Sequence, residues 1–430
     1  MHILITGASG FIGSRLAQHF SQRGHQIVAG YHAKSRLNTQ PGIETIQLDF
    51  SQQLTANDWL PYLKDIDLVI NSVGVFNQND KQELANLHSH APIALFTACQ
   101  QAGVKRVIQI SALGADATAI SPYHISKRIA DEALQQMDLD WIIVRPSIVY
   151  ARDSVSMNFF KALAALPLIP IVGNGQQQVQ PIHIDDLIKA FDQLVETDKH
   201  HKQIIDMVGP APVTIRALLA DLRGWLGFNK SHFITIPDRL ALITAHLVQP
   251  LTKAPFTSDA IKMLNAGNTA KADIFSHRFG FKTKSLQQVL HDNPAFESDR
   301  WHAGLYFLNP LLRYTLAFLW IYTGVIAAFV YPPEQSYQML AKVGASPLWQ
   351  PYLLYSASLL NIILGLAILF SYRLFLTGLI QILAIAMYTI LISISLTEQW
   401  LHPFGPVSKN IPILVAILIM MTLNRNSRGN

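Results

Sequence analysis

The chain has 430 residues, of which 50% are hydrophobic and only 14% are charged, and its mean hydropathy is positive at +0.24. This length allows two or three domains, and the apolar composition argues against a wholly soluble enzyme. The net charge of +5 is modest, and no run of lysine and arginine indicates a nucleic-acid partner.

The N-terminal stretch MHILITGASGFIG predicts a strand, a tight glycine turn and the start of a helix. Gly7, Gly10 and Gly13 have the spacing of a dinucleotide-binding turn, in which glycines allow a sharp turn, approach of a diphosphate and close packing of helix on strand. The N-terminus of the helix offers free N–H groups to the phosphates. The alternative is a glycine turn without a ligand.

Further strands are expected at about 24–29, 43–48, 67–71 and 104–110, with a helix over 81–103. This alternation of strand and helix predicts an α/β fold with a doubly wound, Rossmann-type parallel sheet covered on both faces.

The residues that follow the second strand bear on the choice of cofactor. An acidic residue there is typical of NAD binding, whereas a basic residue accommodates the 2′-phosphate of NADP. Because the chain has His32, Lys34 and Arg36 and no acid, we expect NADP rather than NAD. The alternative is a solvated basic loop.

Three residues are candidates for catalysis. Tyr123 and Lys127 are four apart at the start of a predicted helix and therefore share one face. A lysine ammonium beside a phenol is expected to lower the tyrosine pKa from about 10 toward neutrality, which suits proton exchange with an alcohol or carbonyl. Ser111, at the end of the preceding strand, is positioned to hydrogen-bond the same substrate oxygen.

With these motifs in this order, residues 1–290 resemble an extended or atypical short-chain dehydrogenase/reductase, in the branch of the complex I accessory subunit. The resemblance implies Tyr123 as the acid/base, Lys127 as its pKa partner and ribose contact, and Ser111 as the substrate-oxygen contact. It aligns His88 with a position where many members carry a proton-relay asparagine. The cofactor contacts that we expect are Gly7, Ser9, Gly10, Phe11, Ile12, Gly13, His32, Lys34, Arg36, Asp49, Phe50, Ser72, Val73, Gly74, Tyr123, Lys127, Pro146, Ser147 and Ile148.

Residues 151–295 are less regular and are expected to form a small substrate lobe within a first domain of residues 1–295. Asp185 and Asp186 are interpreted as helix caps and His183 as a packed residue. No carboxylate–histidine cluster has the spacing of a metal site, so we expect no metal.

Residues 301–430 are mostly apolar and predict four transmembrane helices at about 311–330, 352–370, 374–396 and 411–424. This block resembles the DoxX-like four-helix membrane family. Gly324 and Gly365 are expected to let helices pack closely. The distribution of basic residues predicts a multi-pass protein of the inner (cytoplasmic) membrane, with the first domain and both termini in the cytoplasm.

The sequence leaves two main hypotheses open. The first is a membrane-anchored, NADP-dependent oxidoreductase or epimerase-like enzyme acting on a small, apolar molecule such as a lipid or quinone. The second is a non-catalytic protein that binds NADP(H) to sense it or to stabilise a membrane assembly. In a third reading the membrane block is the active part. The lipid bilayer is a partner in each case, and protein partners are unknown.

Overall fold

A computed structural model describes residues 1–32, 42–75, 81–197, 199–248 and 257–424 of the chain. It divides into two compact units, Met1–Gly304 and Leu305–Asn430.

The first unit is organised around a seven-stranded sheet of strand order β11-β6-β5-β4-β1-β2-β3, in which every neighbouring pair is parallel. Its strands are β1 (His2–Thr6), β2 (Gln26–Tyr31), β3 (Ile43–Gln47), β4 (Leu68–Asn71), β5 (Arg106–Ile110), β6 (Asp140–Pro146) and β11 (Gln203–Met207). The prediction of a doubly wound parallel sheet is therefore confirmed. The reversal of strand order lies between β1 and β4, where such folds bind nucleotides.

The central strands β1, β4 and β5 are buried along nearly their whole length because both faces of the sheet are covered, whereas the edge strand β3 has Glu44 and Gln47 at exposed positions. In β1, Ile3 and Ile5 belong to one buried cluster and Leu4 belongs to another. The first cluster is closed by helices α1, α7 and α11, and the second by α2, α4 and α5. The helices of this unit are α1 (Phe11–Gln22), α2 (Ala56–Trp59), α3 (Lys81–Ala85), α4 (Ala91–Ala102), α5 (Pro122–Gln135), α6 (Val155–Ala165), α7 (Ile184–Glu196), α8 (Ile215–Trp225), α9 (Asp238–Val248), α10 (Ser258–Ala266), α11 (Ala272–Phe279) and α12 (Leu286–Asp292). A π-helical turn, Asn86–His90, joins α3 to α4.

A smaller lobe is built from three two-stranded sheets, which pair β7 with β10, β9 with β12 and β8 with β13. Their bounds are β7 (Val149–Tyr150), β8 (Ile169–Val172), β9 (Gln178–Val179), β10 (Ile182–His183), β12 (Val213–Thr214) and β13 (Phe233–Ile236). The lobe has its own apolar core, which includes Ile169, Leu218 and Leu222.

The second unit is helical, with α13 (Glu297–Val325) leading into it, followed by α14 (Pro333–Lys342), α15 (Gln350–Leu369), α16 (Leu374–Ser395) and α17 (Asn410–Leu423). In the part of the chain that the structure describes, three helical segments are long and apolar enough to cross a membrane: Glu297–Val330, Gln350–Leu369 and Leu374–Ser395. The fourth predicted span is a shorter apolar helix, because α17 has only 14 residues and reaches about 21 Å against the roughly 30 Å of a bilayer core.

Two glycines let the helices of this unit approach closely, as expected. A β-carbon on Gly365 of α15 would lie 2.9 Å from the Ala317 carbonyl oxygen of α13. One on Gly324 of α13 would lie 2.6 Å from the Ser358 carbonyl oxygen of α15. Both separations are too short for a real side chain, so glycine is required for this helix contact.

Candidate active site

The glycine turn between β1 and α1 lies at the carboxyl edge of the sheet. Gly7 has a φ of +69°, in the left-handed region that favours glycine. A β-carbon there would also lie 2.9 Å from the Val73 nitrogen, which follows β4. Both the turn conformation and the contact with the neighbouring strand end therefore exclude any larger residue.

The first turn of α1 presents main chain to this edge. Gly10 occupies the N-cap position and makes no side-chain cap, and Ser9 beside it is exposed. A β-carbon on Gly13 would lie 2.5 Å from the Gly7 carbonyl oxygen. Since the first N–H groups of a helix have no intrahelical acceptor, those of Phe11 and Ile12 are suited to a phosphate. This cradle fits the diphosphate of a dinucleotide.

The predicted adenosine end is described only in part. His32 is exposed, and its Nε2 lies 3.8 Å from Asp49 Oδ1. Asp49 Oδ1 accepts hydrogen bonds from the Ser51 N–H and hydroxyl at 3.0 and 2.6 Å. Lys34 and Arg36, on which the NADP prediction depends, lie outside the described residues.

The side chain of Phe50, where we expected a cofactor contact, is buried. It is 4% exposed and packs edge-on against Trp59 in the core. Phe50 therefore belongs to the hydrophobic core, directly after Asp49 in the chain.

Lys127 connects two strand ends of the sheet. Its Nζ donates hydrogen bonds to the Val73 carbonyl oxygen at 2.7 Å and to the Ile110 carbonyl oxygen at 3.0 Å. A β-carbon on exposed Gly74 would lie 3.3 Å from the same nitrogen. Ser72 is held nearby, because its hydroxyl donates to the Thr6 carbonyl oxygen at 2.6 Å. The lysine and the glycine turn thus contact the same short segment after β4.

Tyr123 lies half-buried in the first turn of α5, which begins after Ser121. The Ser121 hydroxyl accepts the His124 N–H at 3.1 Å and caps the helix. The phenol ring stands edge-on against His88, with ring centroids 5.3 Å apart. The ring of Tyr123 also lies 5.6 Å from the ring of His124, so histidine rings on two sides contact the phenol.

The expected lowering of the Tyr123 pKa is wrong for this arrangement. Burial, together with the negative charge of Asp131, raises the pKa of Tyr123 from 10.0 to about 12. The Lys127 ammonium is hydrogen-bonded to two main-chain carbonyls and is not among the causes of the shift. The phenol is therefore fully protonated at neutral pH.

Asp131 is the site residue that sequence reasoning missed. It is 0% exposed, and its Oδ2 accepts the Ser111 hydroxyl at 2.5 Å. The same oxygen lies 3.7 Å from Arg145 Nε. The sequence carried a signal, because Tyr123, Lys127 and Asp131 follow one another at intervals of four residues, which places the carboxylate on the same helix face as the other two.

The His88 ring is hydrogen-bonded to the loop after β4 and to α5. Its Nε2 accepts the Val75 N–H at 3.0 Å, so Nδ1 carries the ring proton and donates to Ser126 Oγ at 3.0 Å. Burial lowers the pKa of His88 from 6.5 to about 2, so the ring is neutral. The residue that aligns with the family's relay asparagine therefore holds the loop in place.

The segment at the end of β6, where we expected cofactor contacts at Pro146, Ser147 and Ile148, is well fixed. The Ser147 hydroxyl donates to the Gln180 carbonyl oxygen at 2.5 Å, and its N–H donates to the Met207 carbonyl oxygen at 2.9 Å. Pro146 is buried, and Ile148 packs against the core of the smaller lobe. This segment links the sheet to the lobe at the same carboxyl edge.

Solved structures share this fold. The chain is similar to MoeE5 in complex with UDP-glucuronic acid and NAD, at 19% identity and a TM-score of 0.53, over 68% of this chain and 97% of that one. It is also similar to a UDP-glucuronic acid 4-epimerase from Bacillus cereus in complex with UDP-glucuronic acid and NAD, at 20% identity and a TM-score of 0.53, over 70% and 99% of the two chains.

Among curated proteins, the chain is 24% identical over 284 residues to the mitochondrial NADH dehydrogenase [ubiquinone] 1 alpha subcomplex subunit 9 of Mus musculus, covering 63% of this chain and 73% of that protein. It is 25% identical over 191 residues to a ceramide reductase of Caulobacter vibrioides, covering 43% and 57%.

Two family models match separate parts of the chain. Residues 3–207 match the NAD dependent epimerase/dehydratase family, and residues 317–418 match the DoxX-like family. The second match and the three apolar helical segments indicate a membrane protein. The chain thus joins a nicotinamide-dinucleotide domain of the epimerase/dehydratase, short-chain dehydrogenase/reductase type to a DoxX-like domain.

Proposed function

We propose that this protein is a membrane-bound, NADP(H)-dependent oxidoreductase that reduces a carbonyl group of a small apolar molecule. The observation that carries the proposal is the convergence at Val73. The Gly7 turn closes on the Val73 nitrogen, and Lys127 holds the Val73 carbonyl oxygen, so the diphosphate cradle and the Tyr123 helix meet at one strand end. This convergence places the helix that carries Tyr123 beside the cradle for the dinucleotide, which supports hydride and proton transfer at one site.

The residues have distinct tasks in this proposal. The bound dinucleotide supplies the hydride. Tyr123 donates its proton to the substrate oxygen, and the phenol carries that proton at neutral pH. The Lys127 ammonium has three N–H groups, of which two bind Val73 and Ile110, and the third would be available to a ribose hydroxyl of the dinucleotide.

The preference for NADP rests on the loop after β2. The exposed His32 and the cations Lys34 and Arg36 suit a 2′-phosphate, and no acid is present to bind a free 2′-hydroxyl. A thermal-shift comparison tests this preference. NADPH is expected to raise the melting temperature more than NADH at equal concentration, and an equal or reversed effect contradicts it.

The apolar substrate and the topology are proposed from the second domain. We assign residues 1–295 to the dinucleotide domain and 301–430 to the membrane domain, with the first domain and both termini on the cytoplasmic side of the inner membrane. The ceramide reductase similarity supports a lipid-like carbonyl compound. Cysteine-accessibility labelling of intact cells tests the topology, because a thiol placed in the first domain should resist impermeant reagents.

Substitution of Tyr123 by phenylalanine tests the reaction. Purified full-length protein is assayed for NADPH oxidation with apolar aldehydes, ketones and quinones. Loss of the general acid is expected to lower the rate by about 10²–10⁴-fold while leaving NADPH binding unchanged. A Tyr123→Phe variant that retains the wild-type rate would show that the phenol is not the acid.

A second function is favoured by one observation, the similarity to a subunit of NADH dehydrogenase. In this alternative the protein binds NADP(H) without turnover and uses it to stabilise a membrane assembly. Wild-type protein that binds NADPH but oxidises it with no member of the carbonyl panel supports this alternative against reduction.

A further inference from the structure

The Ser111 hydroxyl already has an acceptor inside the protein. It donates to Asp131 Oδ2 at 2.5 Å, and the two residues are 4% and 0% exposed. A serine hydroxyl has a single proton to donate. Hydrogen bonds of this length to an ionised carboxylate are about twice as strong as those between neutral groups. Ionised Asp131 therefore holds the only proton that Ser111 can offer.

This arrangement conflicts with the task expected of Ser111 in carbonyl reduction. A carbonyl oxygen only accepts hydrogen bonds, so Ser111 must point its proton toward the substrate to bind it. While Asp131 is ionised, the serine oxygen presents only lone pairs to a ligand. Such an oxygen suits a substrate hydroxyl rather than a carbonyl.

Resting on the proposed function, we infer that Asp131 is a positioning residue whose protonation releases the Ser111 hydroxyl to bind the substrate carbonyl. With Asp131 neutral, Ser111 and Tyr123 both donate to the same oxygen. With Asp131 ionised, Tyr123 donates alone. In the reaction the substrate carbon gains the hydride and its oxygen gains the Tyr123 proton, while Asp131 and Ser111 keep theirs.

The groups around Asp131 allow this change of charge. From β5 and the residue after it come Gln109 and Ser111, from β6 comes Arg145, and from α5 itself come Lys127 and Tyr123. Burial raises the pKa of Asp131 to about 6, against the opposing effects of the Ser111 hydrogen bond, Arg145 and Lys127. The carboxyl group therefore takes up its proton at a higher pH than an exposed aspartate does.

The first test does not depend on turnover. Infrared difference spectroscopy of full-length protein follows the carboxylic-acid carbonyl band as the pH is lowered through 6, and Asp131→Asn identifies the band that belongs to Asp131. Because the Ser111 hydroxyl stabilises the ionised carboxylate, Ser111→Ala is expected to raise the midpoint of that band. An unchanged midpoint overturns the inference whether or not the protein turns over.

The second test uses NADPH oxidation with decanal and menadione as carbonyl probes. The wild-type rate is expected to fall as the pH rises through the Asp131 midpoint, and this fall should be absent from both Ser111→Ala and Asp131→Asn. In the Ser111→Ala background, Asp131→Asn should have a smaller effect than in wild type, because only the influence of its charge on Tyr123 remains. An equal loss in both backgrounds, or an unchanged pH profile in Ser111→Ala, assigns Asp131 a general structural role and overturns the inference.

Ser111→Ala alone keeps the test decisive if Asp131→Asn does not fold, since it removes one hydroxyl and leaves the buried charges in place. Failure of the proposed function has a different signature. In that case the infrared midpoint shifts as expected, but wild-type protein oxidises no NADPH with either probe.

Discussion

Replacing Gly13 by alanine tests whether the close approach of α1 to the strand end builds the dinucleotide site. The new β-carbon would lie 2.5 Å from the Gly7 carbonyl oxygen, whereas ordinary contact begins at 3.4 Å. The helix start must therefore move by about 0.9 Å, the difference between these two distances. Overpacking of this kind costs roughly 1–3 kcal/mol of stability.

The displacement also moves the first-turn N–H groups away from the phosphates. We expect the NADPH dissociation constant of Gly13→Ala to increase at least tenfold, which corresponds to about 1.4 kcal/mol. Isothermal titration calorimetry measures the affinity, and differential scanning calorimetry of the same full-length protein measures the loss of stability.

Gly224 provides a matched control within α8. A β-carbon there would meet no atom of the described chain within 4 Å outside its own helix backbone, and its φ is not positive. Gly224→Ala is therefore expected to stabilise the protein by about 0.5–1 kcal/mol, since alanine loses less entropy in a helix, and to leave NADPH affinity unchanged. If Gly13→Ala binds NADPH as tightly as Gly224→Ala does, the argument from close approach is refuted.

Three further predictions concern buried groups of the first unit. His88 has a pKa lowered to about 2, so between pH 6.5 and 2 the unfolded chain binds a proton that the folded protein excludes. The stabilisation linked to the neutral His88 ring should thus be fully present above pH 6.5, and below it the free energy of unfolding should fall by about 1.4 kcal/mol per pH unit. The melting temperature of His88→Asn should therefore depend less steeply on pH than that of wild type. Asp299 is 6% exposed and pairs at 3.3 Å with Lys161, which is 2% exposed. Asp299→Ala should therefore lower the free energy of unfolding by about 3–5 kcal/mol, because the buried lysine loses its ion pair, and a loss below about 1 kcal/mol would contradict this reasoning. Cys99 is 0% exposed and burial raises the pKa of its thiol, so an aromatic disulfide reagent should react with it only on unfolding, and rapid labelling of the native protein would be inconsistent with this burial.

Local patterns were sufficient for much of the fold. Gly7 stands between an apolar strand and a helical pattern, and the three are adjacent in the chain. Their conformations depend on near neighbours in the sequence and can therefore be predicted from it. The same holds for the helical segments of the second domain, whose length and composition were visible without any tertiary information. The fourth predicted span, 411–424, agrees with the bounds of α17 (Asn410–Leu423), which is shorter than the three segments long enough to cross a bilayer.

The charge states of the site could not be predicted in this way. The four-residue spacing of Tyr123 and Lys127 suggested a lowered phenol pKa. The fold instead brings the lysine to the carbonyl oxygens of Val73 and Ile110, at the ends of β4 and β5, which are 54 and 17 residues away in the sequence. It also buries Asp131 against Ser111, and the carboxylate raises the Tyr123 pKa.

The sequence by itself determined the type of sheet, the glycine cradle, the order of the two domains and the candidate residues. Only the tertiary structure decided which of those residues share a hydrogen bond and which are charged. The physical reason is that strand and helix periods depend on near neighbours, whereas a pKa depends on burial and on charges that distant strands bring together.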